Sequence, residues 1–309
     1  MSATRIAIVG VGKIAHDQHI PAIADSPDFE LAATVSGSGG VDGIENYESL
    51  TDLLDAREDI RTIVMTMPPV PRFEAAREAI AAGRDVLLEK PPGVTVAEVR
   101  QLADLAEEKG TVLYASWHLR HALGVADARD WLARRKVTGG HISWKENVRV
   151  WHPGQQWIWE PGGQGVFDTG INALSILTEI LPAPVRLRDS VLRFPENRDT
   201  PIAVDLTFVD MQGAVITADF DWRLEETASW TMEFQTEDGT IRLEEGAAIL
   251  KIDGVDQGAE GPGEYPGLYR HFATLLRERR SDVDDRPLVQ VADAFLFGRR
   301  EIVEPFDEA

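Results

Sequence analysis

Lys90 stands in the run Glu89-Lys90-Pro91-Pro92, directly after an apolar segment ending at Leu88. That places a cation at the carboxyl end of a strand, where open α/β sheets bind their ligands. An ammonium group there can polarise a hydroxyl and stabilise a developing negative charge, although the same lysine would also suit an exposed loop. Pro91 biases the residue before it toward an extended conformation, which favours a positioned side chain. Farther on, Asp168 and Asn172 lie in Gly162-Gly163-Gln164-Gly165-Val166-Phe167-Asp168-Thr169-Gly170-Ile171-Asn172. Their spacing of four puts both on one face of a helix, with the carboxylate in mid-helix. Beside Phe167, Asp168 can take a proton as a general base, whereas Asn172 can only donate and accept hydrogen bonds. A surface pair would show the same spacing.

Gly10-Val11-Gly12-Lys13-Ile14-Ala15 follows the apolar run Arg5 to Val9 and leads into a helical stretch. Two glycines allow a tight strand-to-helix turn and the close approach of a pyrophosphate to the helix N-terminus, and the small Ala15 lets that helix lie on the sheet. Dinucleotide binding is therefore expected, with contacts from Gly10, Gly12, Lys13, Ile14 and Ala15. The second strand ends in Val35-Ser36-Gly37-Ser38-Gly39-Gly40, with no acid for a ribose hydroxyl and no arginine for a 2′-phosphate. Ser36, Gly37 and Ser38 leave room for either group, so use of both NAD and NADP is expected, with NADP preferred. Pro68, Pro69, Glu89 and Lys90 complete the expected cofactor contacts. His16-Asp17-Gln18-His19 has the spacing of a helix turn, but directly after this motif it reads as shaping the cofactor pocket or capping a helix. No metal is expected.

The elements that must hold these residues follow from periodicity. Leu31 to Val35, Thr62 to Met67, Asp85 to Leu88 and Thr111 to Ala115 read as buried strands. Helices are expected over Arg72 to Ala82, stopping at Gly83, and from a capping box at Thr95-Val96-Ala97-Glu98 to Lys109, with Gly110 as its stop. Alternation of strands and helices specifies a doubly wound parallel sheet, a Rossmann domain over residues 1–119. After that come helices near Leu123 to Arg135 and Gly163 to Leu181. Strands then alternate apolar residues at Ile202, Val204, Leu206 and Phe208, at Ile216, Ala218, Phe220 and Trp222, and at Trp230, Met232 and Phe234. The fold class expected is α/β, with an α+β domain over residues 120–309 on a large, mostly antiparallel sheet. Amphipathic stretches at Tyr265 to Arg279 and Leu288 to Arg299 close the chain, and the last helix is able to pack back toward the N-terminal domain.

With 52 acidic and 31 basic residues the 309-residue chain carries a formal charge of −21, which repels phosphate backbones and anionic lipid. Its basic runs, Arg134-Arg135-Lys136 and Arg277 with Arg279-Arg280, fall near helix ends, where cations suit the dipole. Nucleic-acid and membrane partners are thus not expected. Without cysteine, thiolate catalysis and disulfides are excluded. No apolar run is long enough for a membrane span and no secretory leader opens the chain, so a cytoplasmic protein, monomeric or homodimeric, is expected.

Together, Gly10 to Ala15, Glu89-Lys90-Pro91 and Gly163 to Asn172 resemble the glucose-fructose oxidoreductase and inositol dehydrogenase (Gfo/Idh/MocA) family over nearly the whole chain. Many members carry histidine four residues after the aspartate; here Asn172 stands in that position, so Asp168 is left without a histidine partner on its own helix. The blocks Trp144 to Gly163, Phe167 to Ser175 and Val291 to Arg300 are similar to the aldose 1-dehydrogenase branch of the family, which acts on L-arabinose and D-galactose. The resemblance implies oxidation of a pyranose at C1 to an aldonolactone with NAD(P)⁺. It implies Asp168 and Lys90 as catalytic residues, with Asn172, Glu146, His152, Trp151, Trp230 and His118 around the sugar. The nicotinamide would then face a cleft between the domains. An inositol-type dehydrogenase or reductase, and a non-catalytic NAD(P)-binding regulator, are the alternatives this family leaves open.

Overall fold

The computed structural model describes residues 3–37, 39–225 and 227–307. It divides into two compact units, Met1–His118 with Glu264–Asp285, and Leu119–Gly263 with Arg286–Ala309.

In the first unit a six-stranded sheet has the order β3-β2-β1-β4-β5-β6. The strands are β1 (Thr4–Val9), β2 (Phe29–Val35), β3 (Glu45–Tyr47), β4 (Thr62–Met65), β5 (Asp85–Leu88) and β6 (Leu113–Ala115). All are parallel, as the βα alternation predicts. β4 and β5 are buried along their whole length, which is why they read as unbroken apolar runs. Successive side chains serve opposite faces. Ile6, Ile8, Val64 and Leu87 pack with Leu268 and Phe272 of the helix Glu264–Glu278. Ala7, Val9, Ile63, Met65 and Leu88 pack with Leu53, Ile80 and Leu102. Each fully buried aliphatic side chain contributes about 1.5–3 kcal/mol.

The capping box is present: Thr95 Oγ1 accepts from Glu98 N at 3.2 Å, and the Glu98 carboxylate accepts from Thr95 N at 3.3 Å. Several boundaries differ from the sequence expectation: β2 already starts at Phe29 and β6 only at Leu113. β4 stops at Met65, and the helix expected from Arg72 starts at Pro69, because proline fits the first turn, whose N–H groups have no intrahelical partner. β3 and the helix Leu50–Ala56 were not anticipated.

The second unit is built on a nine-stranded sheet of order β14-β13-β12-β11-β7-β10-β9-β8-β15. Its strands are β7 (Val137–Lys145), β8 (Val185–Pro195), β9 (Ala203–Asp210), β10 (Val215–Asp221), β11 (Ser229–Thr236), β12 (Gly239–Glu244), β13 (Ile249–Ile252), β14 (Val255–Asp256) and β15 (Arg299–Val303). Pairing is antiparallel except between β7 and β10 and between β8 and β15. The expected alternation has its cause in burial: Val204, Leu206, Phe208, Ile216, Ala218, Phe220, Met232 and Phe234 are all buried. The helix Phe167–Ile180 lies close to this sheet, since a Cβ on Gly170 would come within 2.4 Å of the Phe220 ring. Among the described residues no helix is long and apolar enough to cross a membrane.

Candidate active site

In the first unit the strand ends gather the cofactor motif. Gly10, Gly12, Ser36, Gly37, Glu48, Ser49, Thr66 and Pro68 line a cavity of about 440 Å³. Gly10 has φ +94°, and a Cβ there would sit 2.7 Å from Met67 N, so the turn between β1 and the loop after β4 requires glycine. Gly12 differs: a Cβ on it would meet nothing within 4 Å. The protein's own packing does not need that glycine, and the open space is what a pyrophosphate approaching the backbone requires. The residues present therefore fit a dinucleotide. Ala15 is fully buried, Ile14 packs against the core, and exposed Lys13 pairs with Asp17. These three, with Pro69, Glu89 and Lys90, lie off the cavity wall, and Ser38 lies outside the described residues.

Behind Lys90 is a buried polar network. Ala15–His19 forms a widened helical turn that carries His19 into the interior, where it is fully buried. His19 Nε2 lies 3.2 Å from Glu89 Oε1 and Nδ1 lies 2.7 Å from the Tyr269 hydroxyl. Nε2–H donates to Glu89, and Nδ1 pairs with the Tyr269 hydroxyl. Tyr265 donates to Glu89 Oε1 at 2.7 Å, and Lys90 N donates to Glu89 Oε2 at 2.6 Å. Burial by itself would raise the Glu89 pKa, but the His19 hydrogen bond and the charges of His19, His118 and Lys90 outweigh it and hold the carboxyl well below its usual range. Buried Arg72 donates to the carbonyls of Met67, Glu89 and Pro91, tying the loop after β4 to the loop that carries Lys90. His118 stacks on Tyr265 at 5.1 Å with Nε2 3.8 Å from Glu264, whose carboxyl burial pushes up.

In the second unit a polar trio forms around His152. Glu146 follows β7, and its backbone N donates to Asp221 O at 3.0 Å. Asn147 caps the short helix Val148–Trp151, which delivers His152 at its end. Asp168 lies in the first turn of its helix rather than in mid-helix, because the chain ahead of Phe167 is folded into tight turns. Gly162 and Gly165 have φ of +94° and +56°, and a Cβ on Gly163 would strike Trp157 O at 1.9 Å. A first-turn carboxylate is favoured by the helix dipole. His152 Nε2 is 3.4 Å from Glu146 Oε1, and its Nδ1 is 3.8 Å from Asp168 Oδ2. Glu146 and Asp168 are 2% and 3% exposed. Trp230 donates to Glu146 Oε2 at 3.1 Å and is flanked by Trp151 and Trp144, with ring centroids 5.1 and 6.1 Å away. Trp151 is 46% exposed. Half-buried Asn172 stands one turn beyond Asp168. Among the described residues no three His, Asp or Glu side chains are grouped to hold a metal ion.

Residues 4–116 match the model of an oxidoreductase family with an NAD-binding Rossmann fold. Galactose 1-dehydrogenase of Pseudomonas fluorescens is 42% identical over 306 residues, covering 99% of both chains. The chain belongs to the Gfo/Idh/MocA oxidoreductase family. Within it, the crystal structure of a D-galactose-1-dehydrogenase protein from Rhizobium etli superposes with a TM-score of 0.95 at 50% identity over 99% of each chain. A 3-ketoreductase from Actinomadura kijaniata, solved with NADP and TDP-benzene, matches with a TM-score of 0.83, covering 98% of this chain and 100% of that one; at 20% identity it shows the shared fold.

For this family member, the structure brings Glu146, His152, Trp151, Trp230 and Asp168 into one region of the second unit, while His118 and Lys90 belong to the first. Arg72 and Glu48 escaped the sequence reading. Arg72 sits amid a helical stretch where arginine ordinarily points to solvent, and Glu48 reaches the cavity only because the unforeseen β3 returns the chain to it.

Proposed function

We propose that the chain is an aldose 1-dehydrogenase that oxidises D-galactose, L-arabinose and D-fucose at C1 to the aldonolactone, with NAD(P)⁺ as oxidant. The observation that carries this reading is the trio Glu146, His152 and Asp168 beside the indoles of Trp230 and Trp151, in a chain similar along its whole length to a galactose 1-dehydrogenase. A pyranose offers hydroxyls around an apolar ring face, so carboxylates and imidazole can select hydroxyl orientation while indoles cover the face. Asp168 takes the proton of the anomeric hydroxyl. Lys90 orients that hydroxyl and stabilises developing negative charge, and Asn172 holds a neighbouring hydroxyl in register. When bound, the nicotinamide supplies hydride acceptance. Incubation with aldoses and cyclitols is expected to give lactones from the three named sugars; ketones from cyclitols instead would overturn the reading.

Both cofactors are accepted in this reading. Ser36 and Gly37 leave room for a 2′-phosphate and favour NADP, and Glu48 on the same cavity wall opposes that phosphate by charge. Glu48→Gln is expected to raise kcat/KM for NADP relative to NAD by about tenfold, the effect of roughly 1.4 kcal/mol of removed repulsion. An unchanged ratio in steady-state kinetics would remove Glu48 from cofactor selection.

A further inference from the structure

The helix carrying Asp168 has Asn172 where many family members have histidine, yet a histidine reaches Asp168 by another route. His152, sixteen positions earlier and at the end of a different element, lies between the carboxylates of Asp168 and Glu146. We propose that His152 is a positioning residue that relays the substrate proton from Asp168 to Glu146, so that Glu146 is the proton's resting place within the site. This rests on the aldose-oxidation reading above.

Three observations carry it. The imidazole presents a different nitrogen to each carboxylate, Nδ1 to Asp168 at 3.8 Å and Nε2 to Glu146 at 3.4 Å. Glu146 Oε1 and His152 Nδ1, the atoms that face along this path, are shielded from solvent, and neither makes a hydrogen bond among the described residues. A buried polar atom left so is costly, and catalytic hydrogen bonds commonly close only when substrate binds. Finally, Glu146 is fixed by its other oxygen, Oε2, which accepts from Trp230 Nε1, so Oε1 stays aimed at the imidazole. Among the described residues the charged groups paired with His152 are those two carboxylates; the Trp222 ring beside it at 5.5 Å is neutral, and Arg149 of its own short helix is turned to the Phe306 ring and the Asp307 carbonyl.

The step balances. The C1 hydroxyl O–H bond breaks and its proton passes to Asp168, while the C1–H bond breaks and its electron pair leaves as hydride to the oxidised nicotinamide. C1 becomes the lactone carbonyl carbon. Asp168 gives its proton to His152 Nδ1, and the Nε2 proton moves to Glu146 Oε1. Asp168 returns to its carboxylate form and Glu146 ends protonated.

A sugar contact alone would act on KM; a relay acts on kcat and its pH profile. His152→Gln, which keeps hydrogen bonding but takes no proton at neutral pH, is expected to lower kcat about a hundredfold with KM within about threefold. The acid limb of its kcat profile is expected to move from the wild-type position by about one pH unit or more, since the imidazole through which the proton passes is gone. His152→Ala with added imidazole is expected to recover about tenfold in rate, and Glu146→Gln to shift the same limb. An elevated KM with kcat and pH profile unchanged in His152→Gln, or no rescue of His152→Ala by imidazole, would overturn the relay while leaving aldose oxidation intact. Absence of lactone with the wild-type enzyme would overturn the function itself.

Discussion

Asp168→Asn is expected to lower kcat about a thousandfold, within the range of about 10² to 10⁴ that a positioned general base supplies. The amide keeps the shape of the carboxylate and its place in the first turn, where Asp168 N donates to Gly165 O at 2.7 Å. What it loses is the ability to take a proton. The fold should persist, because the amide is isosteric with the carboxylate and the backbone bonds of the first turn are unchanged. Cofactor affinity should also persist, since the dinucleotide cavity belongs to the other unit. Lys90→Ala is expected to act alike on kcat, by about a hundredfold, through lost stabilisation of developing charge. Initial rates of nicotinamide reduction with D-galactose, together with cofactor titration by fluorescence, check both. Near-normal turnover of Asp168→Asn, or an effect confined to KM, would remove Asp168 as the base.

Sequence reading succeeded where one element determines the outcome. The Rossmann strands are short apolar runs because both their faces are covered, and the capping box at Thr95 and Glu98 works through residues three apart. Strand ends that carry Gly10, Ser36 and Lys90 were legible for the same reason. The rest depends on the fold. β7 runs through Gly139 and Gly140, residues that argue against a strand when read alone; here a Cβ on Gly140 would lie 2.5 Å from a Phe234 ring atom, so glycine is required by the neighbouring strand. The helix expected from Gly163 begins only at Phe167, because those glycines are held against Trp157 and Pro201 from elsewhere in the chain. His152 meets Asp168 across a turn that no periodicity describes. The reading that Asp168 lacks a histidine therefore holds for its own helix and not for its surroundings.

Glu89→Gln is expected to destabilise the first unit by about 3–5 kcal/mol, the range found when one partner of a buried ionic pair is removed. Three donors converge on this 3%-exposed carboxylate, from His19, Tyr265 and the backbone of Lys90. A glutamine can accept through one oxygen and must point its own N–H groups at a donor. The sign of the pH dependence follows from the lowered pKa. Folding holds Glu89 ionised below the usual carboxyl range, so its contribution is fully present above about pH 4.5, the ordinary value for a glutamate. It is lost progressively as pH falls below that toward the folded pKa. Calorimetric melting should thus show the widest gap between wild type and variant near pH 7, narrowing toward pH 3. A gap independent of pH would mean that packing, not the ionised carboxylate, holds His19 and Tyr265 in place. Since the same carboxylate accepts from Lys90 N, kcat should fall with stability in this variant, and the loss should persist at temperatures where it remains folded.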